Sequence, residues 1–276
     1  MKKILIIGAG WLGLPFAQQL SALKHQVIVT RRSTDSLREV PLAQESKAVL
    51  DLANDDAAKK VRELVDNNAI DIVVGSFPPG FRKGSGEEYA HQWQKIVDGI
   101  KDSAVQKVIM VSSTTVYPNQ PVEMREDDAT LAKANSGSDL FSGKARVMLQ
   151  AEQSLLDSGK NFTILRLSGL FGPNRHPARF VPHLKQISSR APANMLHLDD
   201  AINALLFALS AVDQQVLNVS TPTTVDKATF YQAALESAQL DIDFPPVLAV
   251  EDKRIVVDKL LQSGFQFQYQ STLDAL

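Results

Sequence analysis

The chain has 276 residues, of which 44% are hydrophobic, a formal net charge of −2 at pH 7 and no cysteine. This length can bury the core of one large α/β domain, alone or with a smaller appendage. The near-neutral charge argues against a protein that coats nucleic acid.

The N-terminal run does not fit a signal peptide, although Lys2 and Lys3 precede an apolar stretch. Glycines and Pro15 break that stretch, and no small-residue cleavage pattern follows it. No later stretch is long and apolar enough to span a bilayer, so we expect no membrane partner. These features predict a cytoplasmic protein.

Strand and helix patterns alternate through the first 168 residues. Apolar, β-branched runs predict strands at 3–7, 25–30, 47–52, 70–77, 107–113 and 162–169. Helical spacing of apolar residues predicts helices at 11–23, 55–67, 87–103 and 143–158. This alternation is typical of a Rossmann-type α/β fold, in which a doubly wound parallel sheet binds ligands at the carboxyl ends of its strands.

After residue 169 the pattern becomes less regular. It predicts a short helix at 179–188, a helix at 198–212, a strand at 215–220 and a helix at 224–240. We therefore predict two parts. The first is a Rossmann-type domain of residues 1–168, to which 195–221 return. The second is a smaller C-terminal substrate-binding subdomain, made of 169–194 and 222–276.

A glycine loop follows the first predicted strand, with Gly8, Gly10 and Gly13 in the pattern G-x-G-x-x-G. Alone this pattern is weak, but here it lies between a strand and a helix at the start of a βαβ unit. Gly8 permits a tight turn, Gly10 lets the backbone approach a pyrophosphate, and Gly13 lets the helix pack closely. The free N–H groups of the helix would meet the phosphates. The loop predicts a dinucleotide site.

The end of the second predicted strand bears on the choice of cofactor. An NAD site usually has an acidic residue about 20 residues after the loop, to bind the ribose 2′-hydroxyl. Here Thr30, Arg31 and Arg32 stand at that point, and no acid follows until Asp35. Two guanidinium groups suit a 2′-phosphate, so we predict NADP as the preferred cofactor, with NAD as the second choice. The alternative is a solvated pair of arginines without a preference.

Several motifs together resemble one family. The segments "GAGWLG" (8–13), "VSSTTVYP" (111–118), "LRLSGLFGP" (165–173) and "LHLDDAINALL" (196–206) occur in the order found in the extended short-chain dehydrogenase/reductases, the NAD(P)-dependent epimerase/dehydratase family. "GWLGLP" with "GPNRHPARF" is most similar to the atypical, YeeZ-like branch. The resemblance implies that Asp51 contacts the adenine and that Gly75 and Ser76 pass beneath the cofactor. The cofactor-binding residues that we predict are Gly8, Gly10, Trp11, Leu12, Gly13, Arg31, Arg32, Asp51, Leu52, Gly75 and Ser76.

The resemblance also assigns candidate catalytic residues. Ser113 matches the family hydroxyl that hydrogen-bonds the substrate oxygen; a hydroxyl that only satisfies local backbone groups is the alternative. The family pair Y-x-x-x-K, in which a phenolate acts as acid/base, is missing. Alignment on Lys144 places Leu140 at the tyrosine position, and alignment on Glu152 places Lys144 there. Tyr117 and Lys144 are the candidates to replace the phenol. Lys144 would need burial to lower its pKa. The alternatives are a packing tyrosine and a solvated lysine.

A basic stretch is the candidate for substrate binding. Residues 160–198 contain no acid, and within them Arg175, His176 and Arg179 are expected to hold an anionic group, the alternative being a solvated basic face. We expect His197 to be structural and Asp200 to cap or orient its helix. The five histidines form no metal-binding pattern.

These observations favour an NAD(P)-dependent oxidoreductase or epimerase that acts on a small, anionic, sugar-like substrate. Thr114 and Thr115 stand where dehydratases of the family have an Asp-Glu pair, which disfavours dehydration. The alternative function, favoured by the missing tyrosine, is a non-catalytic NADP-sensing regulator or interaction protein. The helices at 87–103 and 143–158 resemble those that form family dimers, so a homodimer is the oligomer to test.

Overall fold

The structure is a computed structural model that describes residues 1–81, 84, 86–137 and 139–276. The strands are β1 (Lys3–Ile7), β2 (Gln26–Arg31), β3 (Lys47–Val49), β4 (Ile72–Gly75), β5 (Lys107–Ser113), β6 (Glu123–Met124), β7 (Asn161–Leu167), β8 (Gly169–Phe171), β9 (Ile187–Ser188), β10 (Met195–His197), β11 (Gln215–Val219), β12 (Val247–Leu248) and β13 (Arg254–Ile255).

The α-helices are α1 (Gly13–Ala22), α2 (Thr34–Arg38), α3 (Ala57–Asn68), α4 (Tyr89–Ile100), α5 (Leu131–Asn135), α6 (Gly143–Leu156), α7 (Leu198–Ala208), α8 (Lys227–Ser237) and α9 (Asp258–Gln262). Short 3-10 helices cover Gln44–Ser46, Gly86–Glu88, Thr114–Val116, Glu126–Asp128 and Pro177–His183. Within the described part of the chain, no helix has the length and apolar character needed to cross a membrane.

Seven strands form the central parallel sheet, in the order β11-β7-β5-β4-β1-β2-β3. The chain winds outward from β1 to β3 and then returns to β4 on the other side of β1, where Ile7 pairs with Gly75. The direction of winding therefore reverses between β1 and β4, which makes their carboxyl ends a topological switch point. All residues of β4 and the last four of β1 are buried, as expected for strands covered on both faces. The predicted fold class is confirmed.

Two compact units divide the chain. The first contains Met1–Ser112, Gly143–Leu165 and Ala208–Val216; the second contains Ser113–Ser142, Arg166–Phe207 and Leu217–Leu276. This division differs from the predicted one, which kept 113–142 in the Rossmann domain. The segment belongs to the second unit because its strand β6 pairs with β13 near the C-terminus. Short parallel pairs β8–β10 and β9–β12 also lie in the second unit.

The larger predicted elements are present, with shifted ends. Pro15 lies in the first turn of α1, where its missing N–H is tolerated, as expected. The short helix predicted at 179–188 is found only in its first half, as part of the 3-10 helix Pro177–His183, and the segment ends in β9. Pro182 has no N–H to donate to an α-helical ladder, which favours the shorter, tighter structure.

Candidate cofactor and substrate sites

The glycine loop lies at the end of β1, at the switch point of the sheet. Gly8 has a φ of 105°, a left-handed conformation that favours glycine, and a Cβ added there would lie 2.9 Å from the N atom of Phe77. The loop is anchored to the end of β2, since the N–H of Ala9 donates to the carbonyl oxygen of Thr30 at 3.0 Å. The N–H of Gly8 donates to the Thr30 hydroxyl at 3.3 Å. These contacts fix the tight turn.

Gly13 begins α1 directly against the loop. A Cβ added at Gly13 would lie 2.2 Å from the carbonyl oxygen of Gly8 and 2.5 Å from Oγ of Ser76, so only glycine fits here. The Ser76 hydroxyl, which follows β4, donates to that same Gly8 carbonyl at 2.8 Å. Ser76 therefore stabilises the loop from the neighbouring strand, a contact that the sequence did not reveal.

Gly10 differs from the other two glycines, because a Cβ added there would meet no atom within 4 Å. The backbone at Gly10 faces open space, although the chain on both sides is closely packed. Trp11 is half-buried and Leu12 is buried just before the helix. The N-terminus of α1 has no side-chain cap and no acidic residue in its first turn. Its positive dipole end is thus available to an anion, and the loop fits the pyrophosphate of a dinucleotide.

Arg31 and Arg32 follow Thr30 at the end of β2, as predicted. Arg31 is half-buried, and its Nε is buried without a hydrogen-bond partner among the described residues. Arg32 is exposed. Ser33 then caps the short helix α2, with its hydroxyl accepting from the N–H of Ser36. A buried guanidinium nitrogen without a partner costs free energy, which a bound phosphate oxygen would relieve.

The loop after β3 contains Asp51 and Leu52. Oδ1 of Asp51 accepts from the N–H of Ala53 at 3.1 Å, and the side chain of Leu52 is buried. Lys95 of α4 fixes this loop, because its Nζ donates to the carbonyl oxygens of Leu52 at 3.1 Å and of Asn54 at 3.0 Å. This role of Lys95 was not predicted from the sequence. These hydrogen bonds hold the backbone of the loop in place. The contact of Asp51 with the adenine stays a prediction.

Lys144 is the second residue of α6 in the first unit and is exposed. Its Nζ lies 5.8 Å from the centroid of the Phe81 ring, a cation–π contact. The burial that the acid/base hypothesis requires is not found in the free protein, because the side chain of Lys144 is exposed. On the same helix the buried Glu152 accepts a hydrogen bond from the Ser112 hydroxyl at 2.6 Å, which ties α6 to β5.

Ser113 ends β5 and belongs to the second unit, where it is half-buried. Its Oγ accepts from the N–H of Thr115 at 3.1 Å and lies 2.9 Å from Oγ1 of Thr115. Ser113 thus caps the 3-10 helix Thr114–Val116, which is the local role named as the alternative. A hydroxyl can donate one hydrogen bond while it accepts others, so this cap leaves the predicted contact with a substrate oxygen available.

Tyr117 lies in the core of the second unit, with 1% of its surface exposed. Its hydroxyl donates to Oδ1 of Asn218 at 2.5 Å and accepts from Nη1 of Arg166 at 3.1 Å. Burial raises the pKa of Tyr117 to about 12, although the nearby Arg166 charge acts to lower it. This geometry is that of the packing alternative, and it does not favour proton transfer to a substrate at neutral pH.

The cluster around Tyr117 also changes the interpretation of the basic stretch. Arg166 is buried and donates to the carbonyl oxygens of Glu126 and Ala129 at 2.7 and 2.8 Å. The exposed Arg190 forms an ion pair with Glu251 at 3.3 Å. These two arginines do not share one basic surface, because one is inside the unit and the other is neutralised.

Arg175 and His176 precede the 3-10 helix Pro177–His183, and Arg179 lies within it. Nη1 of Arg179 donates to the carbonyl oxygen of Asn174 at 2.8 Å, and Nδ1 of His176 accepts from the N–H of Ala178 at 3.4 Å. His176 is therefore the N-cap of the 3-10 helix. The anionic ligand proposed for these three residues stays a prediction. Charge reversal at Arg179 without loss of ligand affinity would contradict it.

His197 and Asp200 have structural positions in the second unit. Asp200, which was expected to cap or orient its helix, is fully buried and accepts from the N–H groups of Gln268 at 2.7 Å and Tyr269 at 3.2 Å. It therefore holds the C-terminal segment, a partner too distant in sequence to predict. His197 packs edge-on against the Tyr269 ring, with centroids 4.8 Å apart. Burial lowers the pKa of His197, against the opposing charges of Asp199 and Asp200.

The second unit contains a pocket of about 230 Å³, and the two residues that follow Ser113 in the chain are among its lining residues. Thr114 and Thr115 line one part of it, together with charged groups of Lys227, Asp252 and Lys253. None of Arg175, His176 and Arg179 is among its lining residues. The pocket was not predicted, because its lining residues come from segments more than a hundred residues apart in the sequence.

A glycine loop at the switch point of a doubly wound parallel sheet defines a Rossmann-type dinucleotide-binding protein. The NAD(P)H-binding family matches residues 8–192. Protein YeeZ of Escherichia coli strain K12 is 30% identical over 291 aligned positions, which cover 99% of this chain and 98% of the relative. The chain therefore belongs to the NAD(P)H-binding family, and protein YeeZ is a relative over almost its whole length.

Solved structures agree with the fold. The Bordetella bronchiseptica enzyme WbmH, in complex with NAD⁺, superposes with a TM-score of 0.76 at 18% identity, covering 100% of this chain and 95% of that chain. The UDP-glucuronic acid 4-epimerase of Bacillus cereus, in complex with NAD, has a TM-score of 0.75 at 17% identity, covering 99% of this chain and 96% of that chain. At these identities the likeness is one of fold.

Proposed function

We propose that this protein is an NADP-preferring oxidoreductase or epimerase that acts on a small, anionic, sugar-like substrate. The observation on which this depends most is the open backbone at Gly10, next to an uncapped helix N-terminus, within a loop that is otherwise closely packed. We infer that the phosphates of a bound dinucleotide occupy this open space at the N-terminus of α1. The non-catalytic alternative is not favoured by the comparisons with known proteins.

The preference for NADP is supported by Arg31. Its buried Nε, which has no hydrogen-bond partner among the described residues, lies at the end of β2, where dinucleotide-binding folds contact the adenosine ribose. No carboxylate stands at that position in the sequence. A guanidinium group suits a 2′-phosphate, whereas a 2′-hydroxyl calls for a carboxylate acceptor. The exposed Arg32 is the proposed second contact to the same phosphate.

The nicotinamide cofactor, when bound, supplies the acceptor and donor of hydride. The protein's own contribution is proposed to begin with Ser113, whose hydroxyl donates a hydrogen bond to the substrate oxygen and orients it. Of the two candidates to replace the missing phenol, Tyr117 is disfavoured, because its hydroxyl is buried and bonded to Asn218 and Arg166. Lys144 is proposed as the acid/base only in the complex with ligands, which would have to bury its ammonium group.

The substrate is proposed to bind in the pocket that Thr114 and Thr115 begin. Its lysines supply positive charge for an anionic group, and the hydroxyls of the two threonines suit a polyhydroxylated molecule.

We also expect the protein to act in the cytoplasm. Measurement of its mass in solution would test the expected homodimer.

The proposal is tested by following NADPH consumption with a panel of small oxo-sugar acids. We expect at least one acid to be reduced, and Ser113→Ala to lower kcat by about 10²- to 10⁴-fold, the range of a positioned proton-transfer or hydrogen-bonding group. Ser136→Ala is the matched control, because that hydroxyl only donates to the carbonyl oxygen of Lys133 at the end of α5. Equal activity in the two variants would overturn the role of Ser113.

A further inference from the structure

Lys227 occupies an unfavourable position for a cation. It is the first residue of α8, where the helix dipole disfavours positive charge. Asp226 caps the helix, with Oδ1 accepting from the N–H of Thr229 at 3.0 Å. Nζ of Lys227 donates to Oδ2 of Asp252 at 2.9 Å. An ammonium group has three donors, so this bond leaves others for a ligand. The dipole and the lysine charge both favour an anion at this point.

Lys253 brings a second ammonium group to the same pocket. Only 15% of its side chain is exposed, and its Nζ donates to Oδ1 of Asn119 at 3.1 Å and lies 3.9 Å from Oδ1 of Asp252. Burial lowers the pKa of Lys253, while Asp252 acts to raise it. Asn194 holds the segment in place, donating to the carbonyl oxygen of Lys253 at 2.8 Å and accepting from the N–H of Ile255 at 3.1 Å.

Asp252 lies between the two lysines and orders them. Burial acts to raise the pKa of Asp252, but hydrogen bonds from Lys227 and from the N–H of Lys253, with both lysine charges, lower it overall. The carboxylate therefore stays ionised at neutral pH. Two ammonium groups and one carboxylate leave a single net positive charge in the pocket. That charge matches a ligand group with one negative charge.

The size and the apolar wall of the pocket narrow the ligand further. Its volume of about 230 Å³ is below the range of roughly 300–1,000 Å³ that holds drug-sized ligands. Met195, Tyr231 and the fully buried Phe230 contribute apolar groups to the lining. This volume matches one sugar-sized molecule better than a whole nucleotide sugar.

From this geometry we infer that the pocket recognises a small monocarboxylate without a nucleotide, whose carboxylate is held by Lys227 and Lys253 at the N-terminus of α8. This inference rests on the proposed function, of which it specifies the substrate. Lys227 and Lys253 are specificity residues in this account, because they bind the acid group and take no part in moving hydride or protons.

The test measures ligand binding by calorimetry without any cofactor, so that it does not depend on catalysis. The probes are D-glucuronate and D-gluconate, with D-glucose as the neutral counterpart, glucose 6-phosphate as the dianionic one and UDP-glucuronate as the nucleotide form. We expect at least one of the two free acids to bind more tightly than all three comparison compounds. Lys227→Gln and Lys253→Gln should each weaken that acid by about 10- to 100-fold, the value of a charge-assisted hydrogen bond. Lys101→Gln, at an exposed lysine of the first unit, should leave it unchanged.

A third variant keeps the test informative if the lysine variants fold poorly. Asp252→Asn retains an oxygen that can accept from Lys227 but raises the net charge of the pocket, so we expect glucose 6-phosphate to gain affinity relative to the acids. The inference is overturned if neither acid binds, if UDP-glucuronate binds more tightly than the free acids, or if the lysine variants lose stability and keep wild-type affinity. Absence of NADPH consumption alone would count against the proposed function and not against this pocket.

Discussion

Alanine substitutions at Gly10 and Gly13 separate cofactor binding from folding. In the free protein a Cβ at Gly10 meets nothing within 4 Å, whereas a Cβ at Gly13 would lie 2.2 Å from the Gly8 carbonyl oxygen. We therefore expect Gly13→Ala to cost about 1–3 kcal/mol of folding free energy, as for other overpacked sites, and to lower Tm by roughly 2–10 °C. We expect Gly10→Ala to keep or gain stability, by up to about 1 kcal/mol, because it restricts the unfolded chain.

For cofactor binding we expect Gly10→Ala to be harmful, although it does not lower stability. The alanine methyl at Gly10 would occupy the space that the pyrophosphate needs, and a loss of about 1.4 kcal/mol is enough to weaken binding tenfold. NADPH affinity, followed by cofactor fluorescence, should therefore fall at least about tenfold in Gly10→Ala while Tm does not fall. Gly143→Ala, at another glycine with open space, is the control for stability. Wild-type NADPH affinity in Gly10→Ala would refute the assignment of the open space to the cofactor. An unchanged Tm in Gly13→Ala would refute the close packing.

Two further predictions concern the second unit. Tyr117→Phe removes the hydroxyl that bonds to both Arg166 and Asn218. We expect the free energy of unfolding, measured in urea, to fall by about 1–3 kcal/mol while the activity of the folded enzyme is unchanged. Lost activity at full stability would instead make Tyr117 catalytic. Burial lowers the pKa of His197 below 6.5, so the unfolded chain binds that proton more tightly, and stability should fall as pH decreases from 6.5 through the folded pKa. His197→Gln should remove this part of the pH dependence and the exposed His91→Gln should not, as urea unfolding between pH 7 and about 5 would show.

The fold and the glycine loop were predictable because their signals are local. Apolar β-branched runs such as 107–113 and the G-x-G-x-x-G spacing are set by the backbone needs of each element, and the structure has them where the sequence indicated. The missing phenol of the family's Y-x-x-x-K pair was also visible without a structure. Element ends were less predictable, since they depend on caps such as Asp226 and on turns with positive φ such as the one at Gln239.

The interior of the second unit could not be predicted, because its contacts join distant residues. Asp200 binds backbone groups 68 and 69 positions away, and Tyr117 meets a partner 101 positions away. Arg166 looked like part of a basic surface, yet it is buried among carbonyl oxygens. The spacing of charged residues in the sequence does not indicate which of them are buried. The pocket with Lys227 and Lys253 was missed for the same reason.

The central claim is that this protein binds NADP through its glycine loop and the arginines that follow β2. The most direct measurement is a titration of the purified protein with NADPH and with NADH, for the wild type and for Arg31→Ala/Arg32→Ala. We predict that the wild type binds NADPH more tightly than NADH, and that the double variant loses about 10- to 100-fold in NADPH affinity with little change for NADH. If neither nucleotide binds the wild type at physiological concentrations, the claim is contradicted and the proposed enzyme falls with it.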